Sequence, residues 1–116
     1  MTTHSLATMI RDTANLREEA LSDGRAEMAP VAETLRFRLA RLRRLASLCR
    51  RACGLARTGD TVVLVAPAGT SPDEVAGGLA DDGAGRERVE VLCPTAEEWP
   101  AAYAAARQRK GVEVVS

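Results

Sequence analysis

The sequence predicts a mixed α/β fold in which an N-terminal helical hairpin packs on a small, three-stranded parallel sheet of βαβαβ order. In the first half, apolar residues recur at the steps of three and four that are typical of helices. In the second half, short β-branched runs alternate with segments that begin with helix-capping residues, which favours a parallel sheet. The pattern changes at Gly59 and divides the chain into a hairpin at 1–58 and a βαβαβ part at 59–116. A length of 116 residues fits a single domain.

The first predicted helix runs from Ser5 to Leu21. Ser5 is a suitable N-cap, and Ser22 and Asp23 precede Gly24, which can take the left-handed conformation that ends many helices. The residues at helical spacing are Leu6, Met9, Ile10, Thr13, Leu16 and Ala20.

The second predicted helix runs from Pro30 to Arg57 and is about 40 Å long at 1.5 Å per residue. Pro30 suits the first turn, where its missing N–H costs nothing. An apolar seam runs along one side through Leu35, Leu39, Leu42, Ala46, Cys49, Cys53 and Ala56, and Leu45, Leu48, Ala52 and Leu55 widen it. We expect this seam to cover one face of the sheet, and part of so long a helix to project or to pack against a second copy.

The other side of this helix is rich in arginine. Eight arginines and no acidic residue lie between Thr34 and Thr58, whereas the flanks are net acidic, with charges of −3 for 1–33 and −5 for 59–116. We expect Asp12, Glu18 and Glu19 to face these arginines. Because Arg binds carboxylate and phosphate bidentately, six of them are candidate partner- or anion-binding residues: Arg36, Arg43, Arg50 and Arg57, spaced by seven, with Arg44 and Arg51 beside them.

The second half predicts three strands and two helices, and it resembles small Rossmann-like modules, a likeness of fold that carries no function by itself. Ser71, Pro72 and Glu74 begin the first of these helices, and Thr95 with Glu98 forms a capping box for the other. The predicted strands are Thr61–Ala66, Val89–Cys93 and Val112–Val115, and the helices end at Asp82-Gly83 and at Lys110-Gly111. We interpret 83–86 as a loop.

The loop after the first strand holds weak ligand-binding candidates: Gly69, Thr70 and Ser71. It lies at the carboxyl end of a parallel strand and leads into a helix N-terminus, where ligands bind in open α/β sheets. It has neither the G-x-G-x-x-G nor the G-K-[ST] pattern. Whether 67–71 binds any ligand therefore stays open, and a plain connecting turn is the simpler interpretation.

The sequence predicts no catalytic residue, no metal site and no cofactor, and an enzyme is not favoured. The only histidine is His4, so no ordinary Ser-His or Cys-His pair is expected. Cys49 and Cys53 lie one helical turn apart on the apolar seam, where cysteine acts as a small hydrophobe.

The chain is expected to be a cytoplasmic protein without a membrane partner. No apolar run of about 18 residues is present, and the N-terminus lacks the pattern of a signal peptide. Three cysteines, an odd number, fit a reducing compartment better than a disulfide framework. The many Ala, Arg and Gly residues are typical of a GC-rich bacterial genome.

The function that these patterns favour is a small protein–protein interaction or adaptor module that forms a homodimer, or binds another protein, through its long amphipathic helix. One alternative is a nucleic-acid-binding accessory protein that places the arginines of 36–57 on phosphates. Its few aromatic residues, Phe37, Trp99 and Tyr103, lie on different elements, and the acidic flanks repel phosphate. The other alternative is a nucleotide- or phosphate-binding α/β domain or enzyme subunit that uses Gly69, Thr70 and Ser71.

Overall fold

The structure, a computed structural model, describes residues 5–23 and 28–116, and it confirms helices packed on a small parallel sheet. Gly24 and His4 lie outside the described residues. The helices are α1 (Leu6–Ser22), α2 (Ala29–Arg57), α3 (Pro72–Asp82) and α4 (Trp99–Arg107), and the strands are β1 (Thr61–Val65), β2 (Val89–Leu92) and β3 (Val112–Val115).

The sheet has the strand order β2-β1-β3, and both neighbours of β1 run parallel to it. Alternate residues of β1 point to opposite faces. Val62 and Leu64 pack in the core with α1, α2 and α3, whereas Val63 and Val65 pack against Ala106 of α4. Helices therefore cover both faces, as a parallel sheet requires.

The predicted seam of α2 is the main part of this core. Leu39, Leu42, Cys49, Cys53 and Ala56 are buried, whereas Leu35 and Ala46 are half-buried. The widening residues Leu45, Leu48 and Ala52 are buried and Leu55 is half-buried. The chain's own sheet and helices thus cover the seam.

The N-terminal part of α2 extends past the sheet. Helix α2 runs into β1 through Thr58–Asp60, and Arg41 donates from Nη1 to the carbonyl oxygen of Gly69, just beyond the carboxyl end of β1. Residues 29–40 therefore project beyond that edge, over about 18 Å at 1.5 Å per residue. This projection contributes to a molecule 53 Å long and 24 Å thick.

Helix α4 is shorter than predicted. It begins at Trp99 and ends at Arg107. Glu98 N–H donates to the Thr95 hydroxyl, but the Glu98 carboxylate accepts from that same hydroxyl at 3.0 Å. A reciprocal capping box needs that carboxylate on the Thr95 backbone N–H, so the predicted box is not formed, and the N-cap of α4 is Glu98 rather than Thr95.

The segment interpreted as a loop at 83–86 leads into a 3-10 turn at Arg86–Arg88. Gly85, with φ +90°, packs on the end of α2 so closely that a Cβ would lie 3.0 Å from the Cys53 carbonyl oxygen. Strands β1 and β2 each end one residue earlier than predicted.

Candidate functional site: the arginine surface of helix α2

All six arginines predicted as binding residues are exposed, but two of them have partners within the chain. Arg36 forms an ion pair with Glu33 at 3.0 Å on the same helix, and its guanidinium lies 5.2 Å from the centre of the Phe37 ring. Arg57 donates to the carbonyl oxygen of Asp82 at the end of α3. Arg57 therefore joins two helices of the fold.

The other four, Arg43, Arg44, Arg50 and Arg51, form what we call the arginine surface. None of them makes an ion pair or a side-chain hydrogen bond with residues 5–23 or 28–116. Arg43 and Arg50 are seven residues apart, about 10 Å along the helix. Arg44 and Arg51 lie about 100° further round it. Two pairs of arginine side chains thus extend from one continuous helix, and Arg50 also lines a surface depression with Asp81 and Asp82.

Asp12, Glu18 and Glu19 form no ion pair with an arginine of α2 in the described part of the chain, although Asp12 and Arg38 line the same groove between the two helices. Asp12 pairs with its neighbour Arg11 at 3.8 Å, and Glu18 and Glu19 line an open surface depression with Asn15. Leu6, Thr13 and Ala20 are the residues of α1 that are buried. Glu18 and Glu19 lie five and six positions after Thr13, on the side of α1 that points largely away from α2. Their carboxylates therefore do not reach the arginines of α2.

Arg41 is the one arginine of α2 that binds a carboxylate from the second half of the chain. Its Nη1 donates to Gly69 O at 3.3 Å, and its Nη2 lies 3.5 Å from Glu74 Oε1. Arg41 does not belong to the rows spaced by seven, so sequence reasoning missed it. The sequence signal that could have found it is its position on the helical wheel. Arg41 lies between Leu45 and Leu48 there, on the side of α2 that faces the core.

The loop with Gly69, Thr70 and Ser71 is closed by the chain's own groups. Ser71 N–H donates to Glu74 Oε2 at 3.1 Å, and Glu74 N–H donates to the Ser71 hydroxyl at 3.3 Å. Thr70 N–H donates to Pro67 O. A carboxylate of the chain itself therefore lies at the helix N-terminus that was a weak candidate for ligand binding. The Thr70 hydroxyl is buried and makes no hydrogen bond with the described residues.

The three thiols are free, and two of them belong to the core. The pKa of Cys49 is raised to about 12, mainly because the thiol is buried and in smaller part because the thiol of Cys53 and the carboxylates of Asp82 and Asp81 lie nearby. Burial likewise raises the pKa of Cys53 and Cys93. Nucleophilic chemistry needs the thiolate, which these surroundings disfavour.

The chain matches no protein-family model, and comparison with curated proteins and solved structures gives no significant match. Among residues 5–23 and 28–116, no helix combines the length and the apolarity needed to cross a membrane.

Proposed function

We propose that this chain is a protein–protein interaction module whose arginine surface binds a carboxylate-rich surface of another protein chain. The observation that carries the proposal is the set of four exposed guanidinium groups on α2 that no described residue pairs. A guanidinium binds a carboxylate through two parallel hydrogen bonds, which gives both attraction and a defined orientation.

The helix backbone that carries these arginines is held in place by the core, so binding a partner costs little conformational entropy. Leu45, Leu48 and Ala52 fix the opposite side of α2 in the core. The backbone that carries Arg43 and Arg51 is therefore already ordered before a partner arrives. Only the side chains must be immobilised, which keeps the cost of association low.

The central part of the apolar seam is not available to a partner. Its central residues Leu42, Cys49 and Cys53 are fully buried within this chain. A partner must therefore use residues that α2 leaves exposed, and between Arg36 and Arg57 these are mainly arginines and small residues such as Ser47.

Nucleic acid is the second candidate partner, because Phe37 is 65% exposed on the same helix with Arg36 over its ring. An exposed aromatic ring beside guanidinium groups can stack on a base. However, Trp99 and Tyr103 stack on each other at 5.1 Å on the opposite face of the sheet. Residues 59–116 also carry a net charge of −5, which repels phosphate, so we favour a protein partner.

The test uses labelled poly-L-glutamate as a model carboxylate chain and a DNA duplex as the phosphate probe, with binding followed by fluorescence anisotropy at several salt concentrations. We expect the double variant Arg43→Glu/Arg50→Glu to bind poly-L-glutamate about tenfold or more weakly than the wild type, because two attractive contacts become repulsive.

The matched control is Arg107→Glu/Lys110→Glu, which changes the net charge equally at two exposed positions, the last residue of α4 and a residue between α4 and β3. We expect this control to bind as the wild type does. Equal losses in both double variants would show a nonspecific charge effect and contradict the proposal. DNA binding that is much tighter than poly-L-glutamate binding, and that falls steeply with salt, would favour nucleic acid instead.

A further inference from the structure

A shallow groove runs between α1 and α2 where the hairpin projects beyond the sheet. It is lined by Met9, Asp12, Thr13 and Leu16 of α1 and by Leu35 and Arg38 of α2. This groove does not include any residue of the arginine surface.

The floor of the groove is apolar and open. Leu16 is 52% exposed, and Met9 and Leu35 are half-buried. Val31, one turn before Leu35, is 45% exposed. Large apolar side chains in this chain otherwise belong mostly to the core, so an exposed cluster on one part of the hairpin is typical of a contact surface.

The two walls of the groove carry opposite charges. Asp12 stands on the α1 wall and Arg38 on the α2 wall, and both are exposed. Arg38 forms no ion pair with the described residues, and the one ion pair of Asp12 is the loose surface contact with Arg11. These charges are therefore available to groups outside the chain.

We infer that the groove is a two-fold interface at which a second copy of this chain packs hairpin against hairpin. In a two-fold interface, residue i of one copy contacts residue j of the other, and j contacts i. Leu16 and Leu35 of both copies then form a shared apolar centre, and Asp12 of each copy faces Arg38 of the other. The result is a four-helix arrangement, a common way to bury the apolar sides of two hairpins.

The charge pattern is the reason to choose a second copy as the occupant. A partner must present a base opposite Asp12, an acid opposite Arg38 and apolar side chains between them. The chain's own groove meets all three requirements when it is rotated by 180°. The net charge of zero also means that two copies do not repel each other as whole molecules.

This inference goes beyond the proposed function, because the two surfaces are separate. On the helical wheel, Arg44 and Arg51 lie on the side of α2 opposite the groove. A dimer formed through the groove therefore leaves them free to bind an acidic partner.

The test is a charge exchange followed by light scattering on gel-filtration peaks over a range of concentrations. Asp12→Arg alone and Arg38→Asp alone each place like charges at both contacts of the dimer. We expect each single variant to dimerise about a hundredfold more weakly than the wild type. When the two single variants are mixed, one chain carries two bases and the other two acids, so we expect the dimer mass to return. The double variant Asp12→Arg/Arg38→Asp should dimerise by itself.

The matched control is Arg44→Glu/Arg51→Glu, which should keep the dimer mass and lose poly-L-glutamate binding. A wild type that is monomeric at every concentration, or a mixture of single variants that stays monomeric, overturns the two-fold interface. A wild-type chain that is monomeric but binds poly-L-glutamate overturns this inference alone, whereas a wild-type chain that dimerises but does not bind poly-L-glutamate overturns the proposed function alone. Circular dichroism of each variant confirms that its exposed substitutions leave the fold intact.

Discussion

At the scale of single residues, two helical glycines have opposite surroundings. A Cβ at Gly78 would lie 2.7 Å from Cys49 Sγ and 2.9 Å from Leu6 Cδ2, whereas a Cβ at Gly54 would meet nothing within 4 Å. Gly78 therefore permits the close packing of α3 on α2 and α1. Gly54 only adds backbone freedom to the unfolded chain.

We predict that Gly78→Ala lowers the free energy of unfolding by about 1–3 kcal/mol, because the added methyl group overpacks the core. Gly54→Ala should raise it by about 0.5–1 kcal/mol, because alanine favours the helix. Urea denaturation of the two variants and the wild type measures both effects. Changes of the same sign at the two positions would contradict the packing of α3 described above.

Thr70 provides a second prediction at this scale. Its hydroxyl is buried without a hydrogen-bond partner among the described residues, and burying an unpaired hydroxyl destabilises a fold. Thr70→Val keeps the shape of the side chain and removes that hydroxyl, so we expect the free energy of unfolding to rise by about 1 kcal/mol. A loss of stability on urea denaturation would show that the hydroxyl forms a contact that the structure does not display.

Cys49 gives stability a dependence on pH. Its ordinary pKa of 9.0 rises to about 12 on burial, so the folded state holds the thiol proton more tightly than the unfolded state. This contribution to stability is complete below pH 9 and is lost as the pH rises from 9 towards 12.

For this one thiol, we expect the free energy of unfolding to fall by up to about 1.4 kcal/mol per pH unit above pH 9. Cys49→Ala should show a shallower slope over the same range in urea denaturation series at several pH values. Equal slopes in the wild type and the variant would show that Cys49 does not control this dependence.

At the scale of elements, Trp99 attaches α4 to the sheet. Its indole N–H donates to the carbonyl oxygen of Ala66 at 2.9 Å, at the end of the buried central strand. This bond joins the first residue of α4, the helix that follows β2, to the residue directly after β1. The carbonyl oxygen of Ala66, just after β1, is therefore hydrogen-bonded within the chain.

We predict that Trp99→Phe lowers the free energy of unfolding by about 1–2 kcal/mol, because it leaves the Ala66 carbonyl without this partner. Denaturation followed by far-ultraviolet circular dichroism measures the loss. Tyr103→Phe is the control, since it retains the stacking on Trp99 and should have a smaller effect. A Trp99→Phe variant as stable as the wild type would contradict an anchoring role for this bond.

Local patterns explain which elements could be predicted. The seam from Leu39 to Ala56, the Ser71 cap and the β-branched run of β1 are each encoded within a few residues. By contrast, Arg41 meets Gly69 and Glu74 across 28 and 33 positions of the chain. Helical periodicity predicts which residues of α2 are buried, but it does not predict a contact between residues so far apart in the chain. The start of α4 at Trp99 rather than just after Thr95 was likewise not predicted by the capping pattern.

At the scale of the whole molecule, the fold separates an internal apolar surface from two external ones. The seam of α2 is used within the chain, the arginine surface is left exposed, and the groove of the projecting hairpin carries apolar residues with opposite charges. The net charge of zero does not indicate this division. The charge of +8 between Thr34 and Thr58 is cancelled by the acidic flanks, most of whose carboxylates do not contact these arginines. The residues that we propose to bind partners are therefore exposed ones.

The measurement that tests the proposed function most directly is an NMR titration of the isotope-labelled chain with poly-L-glutamate. We predict that amide resonances of residues 43–51 shift in a saturable manner, that the guanidinium signals of Arg43, Arg44, Arg50 and Arg51 shift with them, and that residues of α4 stay unchanged. Shifts confined to the loop at 66–71, or shifts spread evenly over every basic residue of the molecule, would contradict the assignment of the arginine surface as the binding site.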